Sequence, residues 1–281
     1  MAPCSGNYNI CRIARRARDL GRLLTVVPAK PTSSHRQRKL ASHLKRYELL
    51  CFSAEPGCGT CQKCHSEELI SRVIAGQRDH VFLVSKVLPS HVTGNGVARA
   101  CEASLARLGT DHLDLYLLHW RNGITDLSGV VKSFEDLRAA GKIRAWGVSN
   151  FTARDMDDLF HTLQGDRCAT NQVPYSIGDR GIEPDLLPWC ERHGMPVMAY
   201  SPLGGPGASL SRDPTLARIG AARGCSAAAV ALAWTMRSGN VIAIPESGSP
   251  AHVKENAAAL SLTLTPQELQ TLDAAHPPPG R

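Results

Sequence analysis

From Val81 to the C-terminus, short apolar runs alternate with longer amphipathic stretches. Apolar runs bounded by turn residues read as buried strands, and apolar residues recurring at three- and four-residue intervals read as helices. Val81-Phe82-Leu83-Val84 predicts a strand ending at Ser85-Lys86. A helix over 96–108 follows, with Ala100, Ala103, Leu105 and Leu108 on one face. Leu113–Leu118 predicts the next strand, closing at His119-Trp120. The helix over 127–140 places Val130, Val131, Phe134 and Leu137 at helical spacing and stops at Gly141, the residue type favoured at a left-handed C-cap. Further strands are predicted at 145–148, 169–171, 196–200 and 241–244. Helices are predicted from Ala153, over 185–193, as a pair across 213–237, and at 250–260 and 266–275.

Six successive strand–helix units imply an α/β fold built on a parallel sheet, and a chain of 281 residues suits an α/β barrel. In a (β/α)₈ barrel the functional groups stand at the C-terminal ends of the strands. Those ends carry Lys86, His119, Ser149-Asn150, Asn171-Gln172, Tyr200-Ser201 and Pro245-Glu246-Ser247. Polar residues end most strands, so position by itself does not make a site.

Charge divides the chain. The first 65 residues hold 12 Lys/Arg against three acids, a formal +9, while the remaining 216 hold 20 against 22. Six of the ten cysteines also precede Ser66. We expect residues 1–48 to form a basic, Cys/Ser/Arg-rich and poorly ordered extension, and 49–281 to form the barrel domain. Leu23–Val27 and Leu49–Ser53 are weak substitutes for the first two strands. The basic stretch has few aromatics and no nucleic-acid-binding motif, so a solvated tail is expected and no nucleic-acid partner. No run approaches the roughly 18 apolar residues of a membrane span. No apolar signal-peptide core is present, and Gly21 and Pro28 cut short an Arg-rich stretch that would otherwise pass for a transit peptide. The four later cysteines are widely spaced, as expected of buried thiols in a reducing, cytoplasmic setting.

The motifs narrow the reading. Ser85-Lys86, Leu117-Leu118-His119-Trp120, Gly141-Lys142-Ile143-Arg144 and Trp146-Gly147-Val148-Ser149-Asn150-Phe151 occur in that order. Asn171-Gln172, Ala199-Tyr200-Ser201-Pro202-Leu203, Ile244-Pro245 and Glu255-Asn256 follow. From Ser66 onward the chain resembles the aldo/keto reductase family, particularly its prokaryotic-type members. Each residue alone has a plainer reading: a rim lysine, a core histidine, a helix cap. Eight motifs in order outweigh those readings.

The resemblance implies an NADP- or NAD-dependent oxidoreductase that reduces a small-molecule aldehyde or ketone to an alcohol. Lys86 and His119 match two of four catalytic residues, and Trp120 a substrate-binding position. Ser149, Asn150 and Gln172 match groups that hold the nicotinamide carboxamide, and Tyr200 the ring that stacks on the nicotinamide. Ser201 and Leu203 match the loop near the pyrophosphate. Ser247, His252, Glu255 and Asn256 match the loop around the adenosine ribose and its phosphate.

Two departures matter. The family's catalytic tyrosine belongs in a segment like Asp-Thr-Ala-x-x-Tyr-Gly before Ser66. One register puts Phe52 at the aspartate and Gly57 at the tyrosine; counting back from Ser66 puts Cys64 there instead. A positioned general acid contributes on the order of 10²–10⁴-fold, so impaired catalysis is expected. The alternative is a non-catalytic nicotinamide-dinucleotide-binding or regulatory protein on the same fold. The second departure is Glu246, where many members carry a lysine near the NADP 2′-phosphate; a carboxylate there favours NADH, or weak binding of either cofactor. Finally, Cys58-x-x-Cys61-x-x-Cys64-His65 has haem- and zinc-like spacing. No second ligand pair follows at a suitable distance, so the cluster is read as incidental and no metal is expected.

Overall fold

The computed structural model describes residues 48–51, 64–205, 210–247 and 249–278. Most of the basic extension, Leu23–Val27, Phe52, Gly57, Cys58 and Cys61 lie outside them. Seven strands form one sheet in chain order: β1 (Glu48–Cys51), β2 (Val81–Val87), β3 (Leu113–Leu118), β4 (Ile143–Ser149), β5 (Asn171–Pro174), β6 (Val197–Tyr200) and β7 (Val241–Ile244). Every neighbouring pair is parallel. Helices occupy the crossovers: α1 (Cys64–Ile74), α2 (Gly96–Leu108), α3 (Ser128–Ala139), α4 (Ala153–Phe160), α5 (Leu186–Arg192), α6 (Pro214–Ala222) and α7 (Ala227–Thr235). After β7 come α8 (Pro250–Ala257), a single 3₁₀ turn and α9 (Pro266–Ala275). An eighth strand is not among the described residues. The weak 49–53 candidate is a real strand, beginning one residue earlier.

Two cores show how the sheet curves. Phe82 and Val84 of β2 share an inner cluster with Leu115 and Leu117 of β3, Met198 of β6 and Ile242 of β7. Side chains four and five strands apart meet only if the sheet is curled around them. The alternate positions, Leu83, Tyr116, Trp146, Val148, Val197 and Val241 among them, belong to a larger outer core beneath the helices. Both faces of β2 and β3 are therefore buried along their whole length, which is why these strands read as unbroken apolar runs.

The outer core is fixed by aromatic packing with one polar anchor. Phe134 stacks on Trp146 at 5.4 Å and meets the edge of Tyr116 at 5.8 Å. Trp146 Nε1 donates to Glu135 at 2.7 Å, and Arg138 and Arg167 pair with the same carboxylate. Burial by itself raises the Glu135 pKa, but these three donors outweigh it and the net shift is downward.

Local signals set the boundaries. Gly141, at φ +73°, ends α3 as its C-cap signal predicts, with Lys142 N–H returning to the Leu137 carbonyl at 3.0 Å. Thr152 caps α4 in a reciprocal box with Asp155. The strand expected at 169–171 lies instead at 171–174. Asn171 and Gln172 look like a strand terminus in sequence, yet they pair with Val197 and Met198 inside the ladder. The 213–237 pair is α6 and α7, bent by 98° at the break, and no described helix is long and apolar enough to cross a membrane.

Candidate active site

Along each inward-facing stripe the side chains turn from apolar to polar toward the C-terminal end of the strand. Phe82 and Val84 lead to Lys86, Leu115 and Leu117 to His119, Met198 to Tyr200, and Ile242 and Ile244 to Glu246. Lys86 stands opposite Leu117 in the ladder and is buried. His119 extends the register one step further, its N–H donating to the Val87 carbonyl at 2.9 Å. Both therefore belong to the same rim, and the His119 and Trp120 rings lie 4.0 Å apart at 50°.

The next strand ends carry a hydrogen-bonded group. Ser149 Oγ donates to the Gln172 carbonyl at 2.8 Å. Asn150 Nδ2 donates to the His119 carbonyl at 3.1 Å and to Ser149 Oγ at 3.2 Å. Tyr200 Oη donates to Asn150 Oδ1 at 3.0 Å. One Gln172 amide N–H reaches the Met198 thioether, a weak acceptor, at 3.9 Å. Thus His119, Ser149, Asn150, Gln172 and Tyr200 are brought together by direct contacts across four strand ends. Asn150 and Ser201 adopt positive φ, +59° and +51°, a conformation that costs free energy in non-glycine residues and clusters at functional sites. Burial, and to a lesser degree Asp179, holds the Tyr200 phenol above its ordinary pKa.

Ser201 and Leu203 lead the loop after β6, where Gly204 N–H closes a turn onto the Ser201 carbonyl at 2.9 Å. The last predicted group stands apart, after β7. Ser249 N–H donates to Ser247 Oγ at 3.1 Å, and Ser249 Oγ in turn caps α8 at His252 N–H. His252 and Glu255 are exposed on α8, whereas Asn256 is buried. Glu255 borders a recess of about 360 Å³ that it shares with Cys225 and Ser226 of the α6–α7 turn. The Glu246 residue is exposed, and partial desolvation of its carboxyl raises its pKa.

Sequence reasoning missed Arg121. It pairs with Asp155 and Asp158, 34 and 37 residues away, and no local pattern signals a contact at that range. Cys101, Cys168 and Cys190 are buried cysteines, and Cys225 is half-buried. No group of three or more His, Cys, Asp or Glu side chains that could hold a metal occurs among the described residues. Cys64 opens α1.

A profile of the aldo/keto reductase family matches residues 57–277. The chain belongs to the aldo/keto reductase family. It is 48% identical over 217 residues to a methylglyoxal reductase of Escherichia coli (strain K12), covering 76% of each chain. A crystal structure of an aldo/keto reductase from Klebsiella pneumoniae in complex with NADP and acetate superposes with a TM-score of 0.77 at 43% identity, covering 89% of each chain. An aldo-keto reductase from the same organism in complex with NADPH matches with the same TM-score and identity, over 89% of this chain and 88% of the other. Members of this family are oxidoreductases, and the curled parallel α/β sheet of this chain has the fold of these aldo/keto reductase structures.

Proposed function

We propose that this aldo/keto reductase binds NADP(H) or NAD(H) across the strand ends from β3 to β7 and reduces a small aldehyde or ketone. A 2-oxoaldehyde such as methylglyoxal is the first substrate to test, given the identity to the Escherichia coli reductase. The observation that carries the reading is the contact series Tyr200–Asn150–Ser149, joined at Asn150 to the His119 carbonyl.

The residues suit the cofactor. Asn150 presents an amide and Ser149 a hydroxyl, matching the donor and acceptor of a carboxamide. A partly buried phenol ring stands beside them to receive a flat ring. When bound, the reduced nicotinamide supplies a hydride to the carbonyl carbon. The chain's part is to orient the ring through Ser149, Asn150, Gln172 and Tyr200, and to fix the carbonyl oxygen near Lys86 and His119. Trp120 walls the substrate side. Ser201, Leu203, Ser247, His252, Glu255 and Asn256 hold the remainder of the dinucleotide.

Turnover is slow in this reading. The described tyrosines are engaged elsewhere: Tyr116 is in the outer core, Tyr175 donates to Glu183 at 2.7 Å, and Tyr200 donates to Asn150. Glu48, the residue after Tyr47, pairs with Val81 at the opposite end of β2 from Lys86. Proton delivery then falls to Lys86 and His119. The second reading, a non-catalytic dinucleotide-binding protein, draws on the same observation, that no tyrosine among the described residues is placed beside Lys86.

The test is a fluorescence titration of NADPH and NADH with protein, followed by methylglyoxal. A change in cofactor emission followed by slow loss of absorbance at the reduced-cofactor band is expected. Emission change without oxidation favours the binding protein, and no emission change rejects both. The buried cysteines suit a reducing cytoplasm, which cell fractionation checks.

A further inference from the structure

The stretch after β3 is tied down on both sides of Trp120. Upstream, the His119 carbonyl accepts from Asn150 Nδ2. Downstream, Arg121-Asn122-Gly123-Ile124 forms a tight turn closed by Ile124 N–H to the Arg121 carbonyl at 3.0 Å. Asn122 and Gly123 have φ of +41° and +77°, the pair of positive values a type I′ turn requires and Asn-Gly accommodates best. Ile124 packs against the outer core. The Arg121 side chain folds back over this turn, its Nε donating to the Ile124 carbonyl at 3.0 Å.

The same guanidinium spans to α4. Its Nη1 lies 2.7 Å from Asp155 Oδ1 and 2.7 Å from Asp158 Oδ2. Asp155 also completes the capping box with Thr152, two residues beyond Asn150. Burial favours the neutral Asp155, but the bonds from Thr152 and Arg121 outweigh it, and its pKa is lowered. Arg121 is raised by Asp158 first and Asp155 second. Two ties therefore join the loop after β3 to the loop after β4: Asn150 to His119, and Arg121 to the start of α4. Trp120, half-buried, sits between them with its ring against His119.

We propose that Arg121 is a positioning residue: by clamping the Trp120 loop to Asp155 and Asp158 it fixes the wall of the carbonyl site and sets how well large substrates fit. Arginine suits this role because one planar fork serves two carboxylates and a carbonyl at once, which an ammonium on a flexible stem does poorly. The proposal rests on the carbonyl-reductase reading for its kinetic consequence, though not for its structural one.

Tryptophan quenching separates the two. Of the four tryptophans, Trp146, Trp189 and Trp234 are at most 3% exposed, so acrylamide reads chiefly Trp120. In Arg121→Gln the quenching constant of the accessible fraction should rise, with Arg121→Lys intermediate. KM for a bulky aromatic aldehyde should rise about tenfold relative to methylglyoxal, a typical scale for a misfitted pocket. The dinucleotide binding midpoint should not move. Wild-type quenching in Arg121→Gln overturns the clamp, as does a loss shared equally by cofactor affinity and both substrates. Should that variant fail to fold, Asp158→Lys makes the same comparison at a half-exposed carboxylate outside the capping box, and wild-type quenching there overturns the proposal. Wild-type protein without any cofactor response rejects the proposed function, and the quenching series still judges the clamp.

Discussion

Tyr200 Oη donates to Asn150 Oδ1 at 3.0 Å, joining the ends of β6 and β4 across 50 residues of sequence. Asn150 spends its amide N–H₂ on the His119 carbonyl and Ser149 Oγ, so both ends of this side chain are engaged. A ligand carboxamide that binds here exchanges one of these bonds for its own. In the proposed cofactor site the Tyr200 ring would contribute by its face, which no hydroxyl bond consumes.

Tyr200→Phe is therefore expected to keep dinucleotide affinity within about threefold, since hydrogen-bond exchange is nearly balanced. Tyr200→Ala removes the platform. Aromatic pairing contributes about 0.5–1.5 kcal/mol beyond its buried area, so affinity should fall by about tenfold or more. Fluorescence titration of both variants checks the contrast, and equal losses would show that the hydroxyl matters as much as the ring.

Glu246 sets the expected choice of cofactor. A carboxylate near a 2′-phosphate repels it, while a relative at 43% identity is seen with NADP. Glu246→Lys should move the ratio of NADPH to NADH affinity toward NADPH by about tenfold, equivalent to about 1.4 kcal/mol. The shift should shrink in high salt because the residue is exposed. An unchanged ratio would place Glu246 away from the phosphate.

Gly147 lies on the inner face of β4, where a Cβ would stand 2.5 Å from the Thr170 carbonyl oxygen and 2.9 Å from Leu117 Cδ2. The first of these is backbone and cannot swing aside. Gly147→Ala should cost about 1–3 kcal/mol of stability through overpacking, read as a lower urea midpoint.

Acid should weaken the fold through Glu135, Asp155 and Glu183. Burial opposes ionisation of each, yet hydrogen bonds and ion pairs hold all three pKa values below their ordinary level. A carboxyl with a depressed folded-state pKa adds stability that is fully present above the unfolded value, near 4.3 for glutamate, and is lost as pH falls through the folded value. Glu135→Gln should therefore destabilise the protein at pH 7 by about 1–3 kcal/mol. The gap to wild type should narrow as the pH is lowered from about 5 toward 3. A gap that does not change with pH would remove the charge of Glu135 from the account.

β2 and β3 were legible because they are buried on both faces and so show as apolar runs. β5 was misplaced by two residues because its inward position is the polar Gln172, buried in the ladder at 1% exposure. Rim residues were legible through their motifs: Lys86, His119 and Tyr200 each end an inward stripe. The Arg121 clamp was not, since its partners lie on another crossover and share no periodicity with it.

By itself the sequence determined the order of strands and helices, the stop at Gly141, and the residues that end most strands, though not those of β5, while the cap of α4 proved to be Thr152. These follow from short-range rules of periodicity and backbone conformation. The tertiary structure decided which of those ends meet. Curling the sheet brings β2 and β7 side chains into one inner core and lines up His119, Ser149, Asn150, Gln172 and Tyr200 on one rim. Hydrogen bonds across 31 and 50 residues are set by strand register and sheet curvature, and neither quantity is written in a local stretch of chain.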